Sequence, residues 1–306
     1  MNRRAISYLF LMLLVPVCAG ANCQRLMWRP AVELPPAVLA PEPTLDQIIG
    51  VINNNRSRVT TVSAPSAVIG AAGMPSIRAK LDIGGPRHMR LTAESFATGS
   101  ELDVGSNHEL FWIWVKRNQP PGVYFARHDS FANSPIQQSI PIRPEWLVEA
   151  VGLVYLDPTL PHQGPFRRAD GRLEIHTAIA SGQGPMTRVL VVDERSGWVL
   201  QQNLYDSRRQ LVASAVNSRH MQDPITGFIM PRKTELSWPA AGTTMTLELK
   251  SVVFNSLELS PSLWIKPSFP GYPDRDLTQM TATSGQAKAP RMGLGGLLPT
   301  SPRAHR

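Results

Sequence analysis

The chain has 306 residues, is 42% hydrophobic and carries two cysteines, a size that supports one large domain or two small ones. Both cysteines lie within the first 23 residues, which excludes a disulfide-held domain or a thiolate metal site downstream of them. The formal charge of +8 points toward nucleic acid, but Arg3 and Arg4 sit in a leader and Lys288, Arg291, Arg303 and Arg306 in a tail; residues 44–276 keep only +2, no electrostatic footprint for a duplex.

Residues 1–22 read as a secretory signal. Arg3 and Arg4 precede the apolar run Tyr8–Val17, which is too short to span a bilayer as a helix and is followed by small residues. Two processing readings stand side by side. Ala19-Gly20-Ala21 fits cleavage before Asn22, or a cysteine is the lipid-modified first residue of a bacterial lipoprotein. Cys23 is preferred over Cys18 for lipid attachment because Gly20 and Ala21 precede it closely. Residues 23–43 follow as a proline-rich spacer, with Pro30, Pro35, Pro36, Pro41 and Pro43, suited to hold a domain off a membrane.

The folded region is expected over 44–276. Thr44 and Gln47 form a capping-box pattern before Ile48, Ile49, Val51 and Ile52, which predicts a helix over 45–54. The period then changes. Strands are expected at 59–64, 77–83, 89–93, 109–116, 122–127, 173–179, 188–192, 197–205, 210–216, 228–238 and 243–253, ten or eleven in all. A second helix is expected over 144–151, where Pro144 suits a helix start and Trp146, Leu147 and Ala150 share one face. Residues 277–306 are Gly-, Pro- and Ser-rich without an acidic residue, and read as a disordered basic tail.

Two stretches carry the functional argument. In Leu110–Val115 (LFWIWV), Phe111, Ile113 and Val115 point one way and Leu110, Trp112 and Trp114 the other. Such a strand is either packed on both faces or has one face lining a ligand cavity. Arg188–Leu236 holds three strand-length runs separated by the turns Asp193–Gly197 and Asp206–Arg209, an antiparallel meander that must bury one face. Phe111, Trp112, Ile113, Trp114, Trp198 and Leu200 are the candidate cavity residues. Chemistry finds little support. No G-x-S-x-G, H-E-x-x-H, P-loop or G-x-G-x-x-G pattern occurs, and the seven histidines show no metal-pair spacing. His128-Asp129-Ser130 is a mere adjacency of triad residue types, and Asp103 and Glu109 flank what reads as a hairpin turn. No catalytic residue, metal or cofactor is expected.

The order helix, antiparallel strands, then meander resembles the LolA/LolB-type lipoprotein-sorting and lipid-carrier superfamily over roughly 44–255. Asp193, Gly197, Tyr205, Asp206 and Pro231 match its turn and strand motifs, as do Pro86, Met89, Arg90 and Leu91 upstream. The resemblance implies a mainly β (α+β) fold: a strongly curved, unclosed antiparallel barrel with two or three helices over its concave side. It implies a non-catalytic envelope protein that holds the acyl chains of a lipid or lipoprotein in an apolar cavity, as a periplasmic monomer, membrane-anchored through its N-terminus. The alternative is a lipid-anchored structural or interaction lipoprotein whose sheet encloses an ordinary core.

Overall fold

The computed structural model describes residues 37–71, 75–131, 134, 144–179, 184–256 and 259–280. The expected signal, both cysteines, most of the spacer and most of the basic tail lie outside these residues. In chain order the elements are α1 (Leu45–Ser57), β1 (Val62–Ala71), β2 (Ile77–Ile83), β3 (Met89–Ser95), β4 (Gly99–Ser106), β5 (Leu110–Val115) and β6 (Val123–Arg127). Then come α2 (His128–Phe131), α3 (Pro144–Ala150), β7 (His162–Arg167), β8 (Leu173–Ile179), β9 (Met186–Val192) and β10 (Val199–Tyr205). The series ends with β11 (Leu211–Gln222), β12 (Ile229–Trp238), β13 (Thr243–Phe254) and β14 (Asp274–Asp276).

All fourteen described strands belong to one sheet, ordered β14-β6-β5-β4-β3-β2-β1-β13-β12-β11-β10-β9-β8-β7. Every neighbouring pair is antiparallel except β14 beside β6. The sheet does not close: β14 and β7 are its two edges. The β1–β13 pairing, running from Val62↔Phe254 to Ala71↔Met245, joins the two ends of the chain across the middle. The fold is therefore mainly β as expected, and β9 to β12 form the expected meander. The strand count is corrected from ten or eleven to fourteen. Those not anticipated are β4, β7 and β14, with sequences GSELDVGS, HQGPFR and DRD. In β4 the alternation Glu101-Leu102-Asp103-Val104 is only four residues long and runs into Gly105-Ser106, which reads as a turn, while β7 and β14 show no alternation of apolar with polar.

Cross-strand partners share a face, so register assigns each side chain to one side of the sheet. The row Leu81↔Leu91↔Val104↔Ile113↔Tyr124 lies on one face. Leu81 and Leu91 pack in one cluster with Val148, Val151 and Leu153 of α3 and the segment after it. The row Ile175↔Leu190↔Gln202↔Ala215↔Leu236 lies on that same helix-bearing side, where Ile175 and Leu190 pack with Ile48 and Ile52 of α1. Both longer helices thus cover one face.

Helix α1 starts at the predicted capping box: the Thr44 N–H donates to Gln47 Oε1 at 2.9 Å and the Gln47 N–H to Thr44 Oγ1 at 3.3 Å. It runs to Ser57, past the predicted end at Asn54, because two asparagines in its last turns are held by tertiary partners. Asn53 Nδ2 donates to the Leu156 carbonyl at 2.8 Å and Asn53 Oδ1 accepts from the Leu156 N–H at 2.9 Å. Asn55 makes the same pair with the backbone of Ile229, both at 2.8 Å. Each amide stands in for a neighbouring strand, satisfying one donor and one acceptor.

Two five-residue turns of the same build flank this helix. Asp193–Gly197 closes β9 onto β10, and Asp223–Gly227 closes β11 onto β12; each has an Asp first, a Ser or Thr fourth and a Gly fifth. Asp193 Oδ1 accepts from the Ser196 N–H and hydroxyl at 2.8 and 2.7 Å. Asp223 Oδ2 accepts from the Thr226 N–H and hydroxyl, both at 2.7 Å. Gly197 and Gly227 sit at φ +70 and +69, a region that side chains with Cβ avoid. Each also meets the helix. A Cβ on Gly197 would come within 2.7 Å of Val51, and Arg58 Nη1 donates to the Gly227 carbonyl at 3.0 Å.

The segment after β13 wraps the opposite edge. Phe269 stacks on Trp114 at 3.9 Å and Tyr272 meets Trp114 edge-on at 5.3 Å, on the face away from α3. Strand β14 then pairs with β6, and Leu277, fully buried, packs with Phe111, Tyr124 and Phe131 on the helix-bearing face. Packed chain therefore continues past Asp276 to Met280.

Replacing Asn55 with Ala removes two hydrogen bonds and strands two backbone groups, so it should cost about 2–3 kcal/mol. The exposed neighbour Asn54 should tolerate Ala within about 0.5 kcal/mol. Urea unfolding of both variants checks this; equal midpoints would remove the docking role given to Asn55.

Candidate functional site

The helix-bearing face of the described residues is covered unevenly. Around β1, β2 and β3 the cover is tight at Val62, Ala64, Ile69, Leu81, Ile83 and Met89, each buried to within 3%, while Ile77 of β2 and Met245 of β13 are partly buried. Around β8 and β9 it is shut by α1, with Ile48, Ile175, Leu190 and Val192 fully buried. Over β4 and β5 the cover thins. Val104, Ile113 and Val115 point to the same side and remain partly exposed at the rim of the packed clusters. Together they form an apolar strip across β4 and β5 that is only partly covered.

A polar patch lies under α3. Arg188 on β9 and Gln202 on β10 occupy positions in register with the inward Leu190 and Leu204. Arg188 is 4% exposed and Gln202 is fully buried. Both reach Glu149 of α3: Arg188 Nη1 lies 2.6 Å from Glu149 Oε2, and Gln202 Nε2 donates to the same oxygen at 3.2 Å. The pair ties a seven-residue helix to the sheet. Leaving a buried charge uncompensated costs about 3–5 kcal/mol, so Arg188 and Glu149 need each other once α3 is docked. Trp146 of α3 packs over Leu204 and Ala213, with Trp238 edge-on at 6.4 Å.

The structure divides the candidate cavity residues. Phe111 is 4% exposed and faces the helix side, where Phe131 meets it edge-on at 4.9 Å. Ile113 shares that face, partly exposed. Trp112 and Trp114 do not line it: strand alternation sends them to the opposite face, where Phe269 and Tyr272 cover them. There Trp112 Nε1 donates to Asp103 Oδ1 at 2.8 Å, and Asp103 also holds Arg90 at 2.8 Å. A Cβ on Gly105 would come within 2.1 Å of the Trp112 ring, so the indole lies flat on bare backbone. Trp198 stacks on His220 at 5.0 Å beside the Asp193 turn, and Leu200 is half-buried beside the irregularity of β10 between Val199 and Gln201. These six residues therefore do not form one site. Cys18 and Cys23 lie outside the described residues. Arg188, Glu149 and Gln202 were not singled out from the sequence, and Trp146 was read there only as part of a helix face. Their signal was a charged or amide side chain at the inward parity of an otherwise apolar strand, Arg188 in step with Leu190 and Val192.

The arrangements considered for catalysis do not assemble. His128 Nε2 lies 2.9 Å from the Asn107 carbonyl and 3.3 Å from Ser106 Oγ. A nitrogen donating to that carbonyl holds a proton and cannot act as base toward Ser106, which is fully buried. Asp129 instead accepts from Ser130. Asp103 is buried against Arg90, whereas Glu109 is exposed beside Arg127 at 3.7 Å, so these carboxylates do not converge. Among the described residues no group of three or more His, Cys, Asp or Glu is placed to hold a metal, and no described helix is long and apolar enough to cross a membrane.

Burial of His220 under Trp198 pushes its imidazole below the usual value, against the opposing pull of its bond to the Val199 carbonyl and of Asp193. In acid the unfolded chain then binds a proton that the folded chain refuses. Stability present above about pH 6.5 is lost as pH falls toward the depressed folded value. The urea midpoint should drop more between pH 7.5 and 5.5 for wild type than for His220→Gln; equal drops would show that this histidine does not contribute.

No protein-family model matches the sequence, and no curated protein matches it. Solved structures do resemble its fold. A domain named for outer membrane lipoprotein sorting, from Vibrio parahaemolyticus, aligns over 70% of this chain and 95% of its own, at 10% identity and a TM-score of 0.45. A DUF1329 family protein from Desulfovibrio piger aligns over 72% and 96%, at 12% identity and a TM-score of 0.46. A LolA superfamily protein from Nitrosomonas europaea aligns over 68% and 94%, at 9% identity and a TM-score of 0.42.

Proposed function

We propose that this chain is a non-catalytic carrier that shelters acyl chains of a lipid or lipoprotein against the helix-bearing face of its sheet. The observation that carries this reading is the partly covered apolar strip of Val104, Ile113 and Val115 on the helix-bearing face. Fourteen twisted strands curl, so this face becomes the concave lining of an unclosed barrel with α1 and α3 over its mouth. Apolar burial yields about 0.8 kcal/mol per methylene, so a single acyl chain supplies ample affinity without any polar contact. Such transfer breaks no covalent bond, and no nucleophile is required. The leader, with Cys23 or Cys18 as lipid attachment point, places the carrier in the bacterial envelope, where the proline-rich spacer lets the domain stand off the membrane. The closed packing of β1 to β3 favours the second reading, an interaction lipoprotein whose interior is an ordinary core.

Lipid extracted from the purified protein and identified by mass spectrometry should contain acyl species at near-stoichiometric amounts. Val104→Trp, which fills the strip from the sheet side, should lower that content several-fold while leaving the circular dichroism spectrum unchanged. Protein free of lipid that also fails to bind an apolar fluorescent probe would favour the ordinary core.

A further inference from the structure

Nine buried side-chain polar atoms of the described residues lack a hydrogen-bond partner. Five of them belong to α3 or to the sheet patch beneath it: Glu145 Oε2, Trp146 Nε1, Arg188 Nε, Gln202 Oε1 and Trp238 Nε1. Buried polar groups are normally satisfied, because each orphan forfeits its hydration without replacement. Their concentration on α3 and the strands beneath it marks a position where a polar partner is required.

We infer that this patch is a headgroup subsite for a neutral, hydroxyl-bearing acyl ester, of the chemistry of a glycerol ester; the inference rests on the carrier reading above. Three of the orphans are N–H donors, on Arg188, Trp146 and Trp238, and they suit ester carbonyl oxygens. Gln202 Oε1 is an acceptor. Its amide nitrogen is committed to Glu149, which fixes the orientation of the amide, so the oxygen calls for a hydroxyl. Arg188 is already neutralised by Glu149, and a free carboxylate placed here would face the carboxylate of Glu149. The patch therefore selects a neutral head over an ionised fatty acid. The Glu149 side chain, which holds both Arg188 and Gln202, is 23% exposed. The acyl chain would run from the patch along the helix-bearing face.

The test compares monooleoylglycerol with methyl oleate on the full chain, by displacement of an apolar fluorescent probe. The two share the acyl chain and ester carbonyl and differ in the hydroxyls. The wild type should bind monooleoylglycerol about tenfold more tightly, the worth of one well-made hydrogen bond to a buried acceptor. Gln202→Leu should abolish that preference by weakening monooleoylglycerol alone; Gln202→Met serves if the leucine variant is poorly folded by circular dichroism. If both esters bind equally, or the preference survives at Gln202→Leu, the subsite is overturned, its orphans belong to ordered water, and the carrier reading stands. If neither ester displaces the probe, both readings fall.

Discussion

A sheet with one apolar face must keep that face from water along its whole width, and here the cover is fixed by side-chain amides. Asn53 and Asn55 bind the backbone of Leu156 and Ile229 as a neighbouring strand would, each supplying one donor and one acceptor. Hydrophobic burial of Ile48 and Ile52 provides most of the energy, but it is non-directional. The amides set where α1 sits, and the two matched Asp–Gly turns leave it room. With α1 so placed, the face over β8 and β9 is sealed, and α3 covers part of the rest.

The two helices are held in different ways. α1 has a capped start, thirteen residues and four amide hydrogen bonds to backbone. α3 has seven residues and is held chiefly by Arg188–Glu149 and by Trp146. An ion pair this buried adds little net stability yet fixes position strongly, since either partner alone is costly to bury. The polar patch under α3 thus fixes where that helix sits.

The opposite face follows another logic. Trp112 and Trp114 need cover as much as the inner face does, and the chain supplies it from its own later residues, Phe269 and Tyr272. By crossing the β6 edge as β14 and ending with Leu277 on the inner side, this segment also shields strand groups that would otherwise invite pairing with another chain.

The capping box at Thr44, the second helix and the meander of β9 to β12 were all legible from the sequence, because capping chemistry and hydrophobic period are local. So was the two-faced character of Leu110–Val115. Strands β4, β7 and β14 were not, since their polar, Gly- and Pro-bearing sequences become strands only when neighbours supply hydrogen bonds. The second Asp–Gly turn at Asp223 repeats the first at a glance, yet its role in holding α1 depends on a contact 169 residues away in sequence. The sequence by itself determined that one face of an antiparallel sheet had to be buried, because alternation is a property of the strand. Tertiary structure alone decided which face carries the helices, which tryptophans are walled off by the C-terminal segment, and that Arg188, Gln202, Glu149 and Trp146 meet. Contacts between distant segments depend on register and strand order, and neither is encoded in any local run of residues.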